Sequence, residues 1–245
     1  FVLRIWAVKS RHFYPCGPGF FCDRASVRTG PFRVTATRHW RPSRKPVQCV
    51  AAPSAARNPV LQVTRILAVR HGETAWNRDT RIQGHTDIAL NPHGQWQASR
   101  LAEALADEPI AAVYASDLQR AQETARAVAR VHNKPVSTHS GLRERGFGTL
   151  EGQAWDAAGR HGPDQPDDTV DIDYAVEGGE SLRQFQMRIL SCFEELSQRN
   201  AGKNLLVFAH GGVIDMVWRK LNQQPLNAKR THAILNTSLN FFSID

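Results

Sequence analysis

The sequence predicts an α/β protein, a three-layer α/β/α domain with a mostly parallel central sheet, preceded by a basic leader. Three observations predict it. Short apolar runs at residues 66–69, 111–115 and 204–209 have the length and composition of buried strands. Each run ends abruptly in a glycine turn or a helix start: Arg70-His71-Gly72, Ser116-Asp117-Leu118-Gln119 and His210-Gly211-Gly212. Helical patterns separate the runs, and strands alternating with helices imply helices layered on both faces of a sheet.

The leader, residues 1–62, stands apart in composition. It holds 11 Lys/Arg against one acid, Asp23, for a charge of +10, while residues 63–245 hold 20 Lys/Arg and 22 acids, for −2. The overall +8 therefore belongs to the leader and not to the catalytic body expected over residues 63–245. Seven of the 13 prolines and three of the four cysteines (Cys16, Cys22, Cys49) also fall there, and no helical or strand period persists. That composition is expected to stay disordered. A transit peptide, a nucleic-acid-binding arm, a tail without a role, and a stretch outside the mature protein with translation starting at Val63 all fit. The last is the reading favoured here. No run approaches the ~18 apolar residues of a membrane span, and a single body cysteine, Cys192, fits a reducing, cytoplasmic setting.

In the body, Ile66–Val69 forms the first strand, and residues 76–90 read as a polar active-site loop with Gly84, Thr86 and Asp87. Pro92 and Gly94 introduce a helix from Gln95 to about Asp107, with Trp96, Leu101, Ala102 and Leu105 on its inner side. Residues 111–115 make the second strand. Ser116-x-x-Gln119 reads as a capping box opening a helix to about Val131, which puts Arg120 in a first turn where anions are favoured. On position alone Arg120 serves equally as a surface residue paired with Glu123 or Asp117. Residues 135–138 suggest a short strand, and residues 142–152 a glycine-punctuated loop carrying Glu144. Residues 156–177 are acidic and irregular, without the spacing of a calcium loop. A helix of about eighteen residues follows Ser181, with Leu182, Phe185, Ile189, Phe193 and Leu196 facing inward. Residues 204–209 are the clearest buried strand, Val213–Leu221 a helix, and Leu239–Ile244 an edge strand.

At the carboxyl ends of strands in an open α/β sheet, ligands bind. A histidine beside an arginine there suits phosphate chemistry: neutral imidazole can attack phosphorus and carry the group covalently, and guanidinium grips phosphate oxygens in pairs. Arg70-His-Gly-Glu-Thr74, Trp76-Asn77, the run from Tyr114 to Ala125, Leu142-x-Glu144, Gly178-Gly-Glu-Ser181 and His210-Gly-Gly212 together resemble the signature of the histidine phosphatase superfamily, the phosphoglycerate-mutase-like group. The resemblance covers nearly all of residues 64–245 and nothing in the leader.

That resemblance implies a phosphohistidine on His71, a clamp of Arg70, Arg120, Asn77 and His210 on the transferring oxygens, and Glu144 as acid and base. Backbone around Gln83, Gly84 and Gly211 would complete the cradle. It implies no metal and no cofactor, with 2,3-bisphosphoglycerate as primer only for a mutase. His85, His93, His139 and His161 lack a ligand pattern and read as surface residues. Three functions compete: a phosphatase of small phosphorylated metabolites, a cofactor-dependent phosphoglycerate mutase, and nucleic-acid binding through the leader, the least favoured. Arg145 fits the mutase pattern. Phe147 stands where that pattern has a tyrosine and Trp155 where it has a lysine, and residues 156–177 offer only Arg160 in place of paired carboxylate-binding arginines. These departures favour the phosphatase, with a pocket leaning apolar through Phe147 and Trp155. A homodimer is an assembly this reading allows.

Overall fold

The computed structural model describes residues 62–155 and 171–244, with a two-residue antiparallel pairing of Pro15–Cys16 and Phe20–Phe21 in the leader. The expectations for the rest of the leader, and for Arg160, His161 and most of the acidic segment, lie outside the described residues. Five strands form the main sheet: β1 (Thr64–Arg70), β2 (Ala112–Ala115), β3 (Val136–Thr138), β4 (Asn204–Ala209) and β5 (Leu239–Ile244). Their order is β3-β2-β4-β1-β5, parallel except for β5, which runs antiparallel to β1 at the edge.

The helices are α1 (Ala75–Arg78), α2 (Pro92–Ala104), α3 (Gln119–Val131), α4 (Leu182–Arg199) and α5 (Gly211–Leu221). Alternation along the strands sends side chains to two faces. Ile66, Ala68, Leu205 and Val207 meet Phe185, Ile189 and Phe193 of α4 and Val213 and Val217 of α5. Leu67, Val69, Leu206 and Phe208 meet Leu101 of α2 and Ala125 and Val128 of α3. The sheet is thus covered on both sides, giving the three layers expected. Each fully buried large apolar side chain is worth roughly 1.5–3 kcal/mol.

Three local expectations are corrected. Trp96 is 46% exposed and stacks on His93, because the apolar stripe of α2 runs through Ala98, Leu101 and Ala102 instead. Ser116 does not cap α3: the N-cap is Leu118, and the Gln119 N–H donates to Asp87 Oδ1 at 2.7 Å. The cap therefore comes from a distant loop. The loop expected over 76–90 begins with helix α1, closed by a reciprocal cap between Thr74 and Asn77. Ser181 and Gln184 cap α4 in the same way.

Candidate active site

Register builds the site. Arg70 of β1 pairs with Ala209 of β4, and Ala115 of β2 pairs with Phe208, so the three strands end level. The next residues, His71, His210 and Ser116, therefore share one rim, and the His71 N–H donates to Ala209 O at 3.0 Å. The rings of His71 and His210 lie 5.1 Å apart, tilted by 60°. A cavity of about 310 Å³ opens over this rim. It is lined by Arg70, His71, Asn77, Gln83, Gly84, Arg120, Glu144, Arg145, Phe147, Trp155 and Gly211; of the sequence-derived candidates, His210 alone is not among the lining residues and stands beside His71.

His71 is buried, and its Nδ1 lies 2.7 Å from Gly72 O. A carbonyl can only accept, so Nδ1 carries the hydrogen and Nε2 keeps its lone pair. Burial, then Arg120 and Arg70, hold the imidazole well below its ordinary pKa, so the ring stays neutral. His210 is held low by burial and by Arg120, His71 and Arg70, and neither of its ring nitrogens has a partner. Unpaired buried donors and acceptors are costly and commonly mark a ligand's place.

Arg120 lies in the first turn of α3 with no solvent exposure, which excludes the surface reading. Its Nη1 donates to Thr86 O at 2.8 Å and its Nη2 to Gly84 O at 2.7 Å. Burial pushes it down to about 10, still cationic at neutral pH. Arg70 donates from Nη1 to Ile234 O at 2.6 Å, and burial lowers it too. Five guanidinium N–H groups minus these bonds leave each arginine donors to spare. One buried and one half-buried cation around a neutral imidazole call for a dianion.

Glu144 faces them from its own loop. Its Oε2 accepts from Gly212 N and its Oε1 from Arg145 N, each at 3.0 Å, so the start of α5 grips the carboxylate. A Cβ on Gly212 would overlap Glu144 Oε1 and displace the carboxylate, so glycine keeps it in place. Behind, Arg188 ties down the segment: it donates to the carbonyls of Gly141, Arg143 and Glu144 and pairs with Glu180 at 2.7 Å. Asn77 Oδ1 accepts from Thr74 N at 3.1 Å, which leaves its amide nitrogen for a substrate oxygen. Gln83 is buried with Oε1 accepting from Thr74 Oγ1 at 3.0 Å.

The far wall differs from expectation. Phe147 and Trp155 do meet edge to face at 5.5 Å, but Arg145 lies over the Phe147 ring, and Arg81, Arg219 and Arg230 also line the cavity. The pocket is basic, not apolar-leaning. His85 is half-buried with Nε2 2.9 Å from Glu144 O, and His139 is half-buried against Cys192, so neither is a plain surface residue. Among the described residues no cluster of His, Cys, Asp and Glu could hold a metal, and no helix is long and apolar enough to cross a membrane.

Sequence reasoning missed residues 225–237. Asn236 Nδ2 donates to His71 O at 2.8 Å, and Thr237 N to Arg70 O at 2.9 Å. Nothing periodic marks that segment. The one usable signal was Asp215, a charge inside the apolar run of α5.

Residues 66–245 match the family model described as histidine phosphatase superfamily (branch 1). The chain is 38% identical over 185 residues to phosphoglycerate mutase-like protein 4 of Arabidopsis thaliana, covering 73% of this chain and 79% of the relative. A metal-independent phosphoserine phosphatase of the same plant is 36% identical over 185 residues, covering 73% and 76%. Among solved structures, a phosphoserine phosphatase from Entamoeba histolytica in complex with 3-phosphoglyceric acid superposes with a TM-score of 0.63 at 27% identity, covering 73% of this chain and 89% of that one. Fold, rim and comparisons agree: the chain belongs to the histidine phosphatase superfamily, and it is a phosphoryl-transfer enzyme.

Proposed function

We propose that the chain is a phosphatase of small phosphomonoesters that works through a phosphohistidine on His71. The observation that carries this is the neutral, buried His71, its Nε2 free, set between the buried Arg120 and the half-buried Arg70 with Glu144 opposite. His71 Nε2 attacks phosphorus in line as the P–O bond to the alcohol breaks. Arg70, Arg120, Asn77 and His210 hold the equatorial oxygens, where charge collects. Glu144 enters this step protonated and gives that proton to the departing alkoxide, becoming the carboxylate that acts as base in the next step. Water then attacks the phosphohistidine, Glu144 takes the water's proton, and inorganic phosphate leaves with His71 neutral again. The arginines supply the positive charge in this scheme, and the relative named as metal-independent supports leaving metal out.

The test is base-quenched protein after brief exposure to substrate. Acid-labile phosphate is expected on His71, and His71→Ala should show neither the label nor turnover. A His71→Ala protein with wild-type turnover would overturn the scheme. The mutase reading draws support from the mutase-like relative and from Arg145 in the wall. Phosphorus NMR of 3-phosphoglycerate, with 2,3-bisphosphoglycerate present as primer, separates the two. Phosphate is expected to outrun 2-phosphoglycerate; the reverse would install the mutase. The catalytic unit is proposed as residues 63–245, so removing residues 1–62 should leave kcat and Tm nearly unchanged. A cytoplasmic setting fits the free, buried thiol of Cys192, which burial pushes up to about 12.

A further inference from the structure

Arg120 is aimed by two carbonyls, and those carbonyls sit on a turn that must itself be held. Gly84 O and Thr86 O accept from the guanidinium at 2.7 and 2.8 Å. Gly84 has a left-handed backbone, φ +52°, in a turn closed by the Thr86 N–H on Gln83 O at 3.0 Å. Glu151 supplies the remaining constraint. It follows the short turn Gly148–Leu150, is half-buried, and is not among the residues that line the cavity. Its Oε1 accepts from His85 N at 2.8 Å and Phe147 N at 3.1 Å. Its Oε2 accepts from Thr86 N at 2.8 Å and Thr86 Oγ1 at 2.6 Å. These donors fill the roughly four lone-pair sites of a carboxylate.

One peptide joins the two charges. The His85 N–H and the Gly84 C=O belong to the same planar trans peptide, so they point opposite ways. Glu151 on one edge and Arg120 on the other therefore fix a single plane, and each polarises it for the other. The Glu151 charge is felt at Arg120. A Cβ on Gly84 would overlap Glu151 Oε1, so glycine serves both the turn and the carboxylate's approach. Closing the loop does not need this carboxylate. Main-chain bonds already pair residues 80–82 with 152–155: Ile82 N on Gln153 O at 2.9 Å, Gly152 N on Ile82 O at 2.8 Å and Trp155 N on Thr80 O at 3.0 Å. What Glu151 adds is the orientation of residues 84–86. The same loop reaches Glu144, because His85 Nε2 donates to Glu144 O at 2.9 Å.

We propose that Glu151 is a positioning residue for phosphoryl transfer, which sets Arg120 and Glu144 in register across the cavity by fixing the Gly84–His85 peptide. This rests on the phosphatase reading, which gives Arg120 and Glu144 their parts in the reaction. Glu151 touches neither phosphate nor leaving group; it acts through the residues that do.

The test is a double-mutant cycle read in kcat and KM. Glu151→Gln keeps the side chain's size, removes its charge and turns an amide NH2 toward donors. A misplacement of ~1 Å costs on the order of 10²-fold, so kcat on p-nitrophenyl phosphate should fall roughly 10- to 100-fold, with KM within about threefold. The loss on glycerol 3-phosphate should be larger, since that ester also needs Glu144. Glu151→Asp, which keeps the charge, should restore part of both. The ammonium of Arg120→Lys cannot grip both carbonyls as the guanidinium fork does. In that background Glu151→Gln should cost little more on p-nitrophenyl phosphate, whereas a merely structural role predicts the same factor in both backgrounds. Equal factors would overturn the proposal, as would wild-type kcat in Glu151→Gln. Should Glu151→Gln fail to fold, Glu151→Asp carries the same cycle. Isomerisation of 3-phosphoglycerate in place of phosphate release would count against the phosphatase reading, and the cycle read on isomerisation then decides the role of Glu151.

Discussion

The two ends of the cavity are built in opposite ways. At the phosphate end, His71, Arg120 and His210 sit on strand ends and the first turns of helices, buried in the sheet's own core. Main-chain carbonyls hold three side chains of this end: Gly72 for His71, Gly84 and Thr86 for Arg120, Ile234 for Arg70. At the far wall, Phe147, Trp155, Tyr174 and Arg230 lie on connecting segments; Phe147 and Trp155 meet each other, and Asp215 faces Arg230. Geometry set by the sheet cannot change without changing the fold, whereas geometry set by loops and side-chain pairs can vary on an unchanged frame. The first end is tied to the fold, and the second is free to vary on it.

The largest expected effect breaks the phosphate end without touching a reacting atom. Gly212→Ala puts a methyl group on Glu144 Oε1 and within 3.0 Å of Phe185 Cε1, so the carboxylate must leave its place. Loss of a general acid costs about 10²–10⁴-fold, and Gly212→Ala should approach that figure on alkyl phosphates. Glu144→Gln should match it. Both should lose much less on p-nitrophenyl phosphate, whose leaving group needs little protonation. Steady-state kcat on the two ester types checks this. Equal losses on both would mean that Glu144 does not supply the proton.

A smaller effect appears in stability against pH. His71 and His210 are held well below their ordinary pKa in the folded protein, first by burial and then by Arg120. The unfolded chain takes up a proton on each below pH ~6.5, and the folded protein does not. Stability is therefore fully present above that value and falls as pH drops toward the folded pKa. Two such groups give a slope of about 2.7 kcal/mol per pH unit well below pH 6. Melting curves from pH 8 to pH 5 should show Tm level at first and then falling, and His210→Gln should roughly halve the slope. At the far wall His232 is also lowered by burial, but it is partly exposed and faces Asp215, so its variant should change the slope less. A Tm unchanged down to pH 5 would mean both rim histidines accept protons in place.

The same division decides what the sequence could reveal. Strands over residues 204–209 and 239–244 emerge at their observed bounds because continuous apolar runs admit few other structures. Arg70, His71 and His210 are legible because strand ends are fixed points from which a side chain's place follows. Arg120 was ambiguous, since one sequence position in a first turn serves surface or core; only the loop carbonyls of Gly84 and Thr86 decide it. The cap of α3 was misread because Asp87 arrives from 32 residues away. The place of Arg230 in the cavity wall is hidden for the same reason: it depends on Asp215 and Arg219 in α5 meeting a loop with no period of its own.

The smallest effect probes the aromatic side of the far wall. Trp155 meets the edge of Phe147, and Phe147 packs on the buried Ile82. An edge-to-face pair is worth ~0.5–1.5 kcal/mol beyond its buried area. Trp155 is only half-buried, however, so little of the fold depends on it. Trp155→Ala should lower Tm by a few degrees at most, on the order of 1 kcal/mol. Its catalytic signature should be selective. An aromatic leaving group can lie against the indole, whereas a short aliphatic ester reaches the rim without it. KM for p-nitrophenyl phosphate should then rise a few-fold while kcat/KM for glycerol 3-phosphate stays within about twofold, because the reacting groups stand on another wall. Equal losses on both esters would show that Trp155 props the Phe147 loop and, through it, Glu144. The two ends of the cavity would then be mechanically joined on this side.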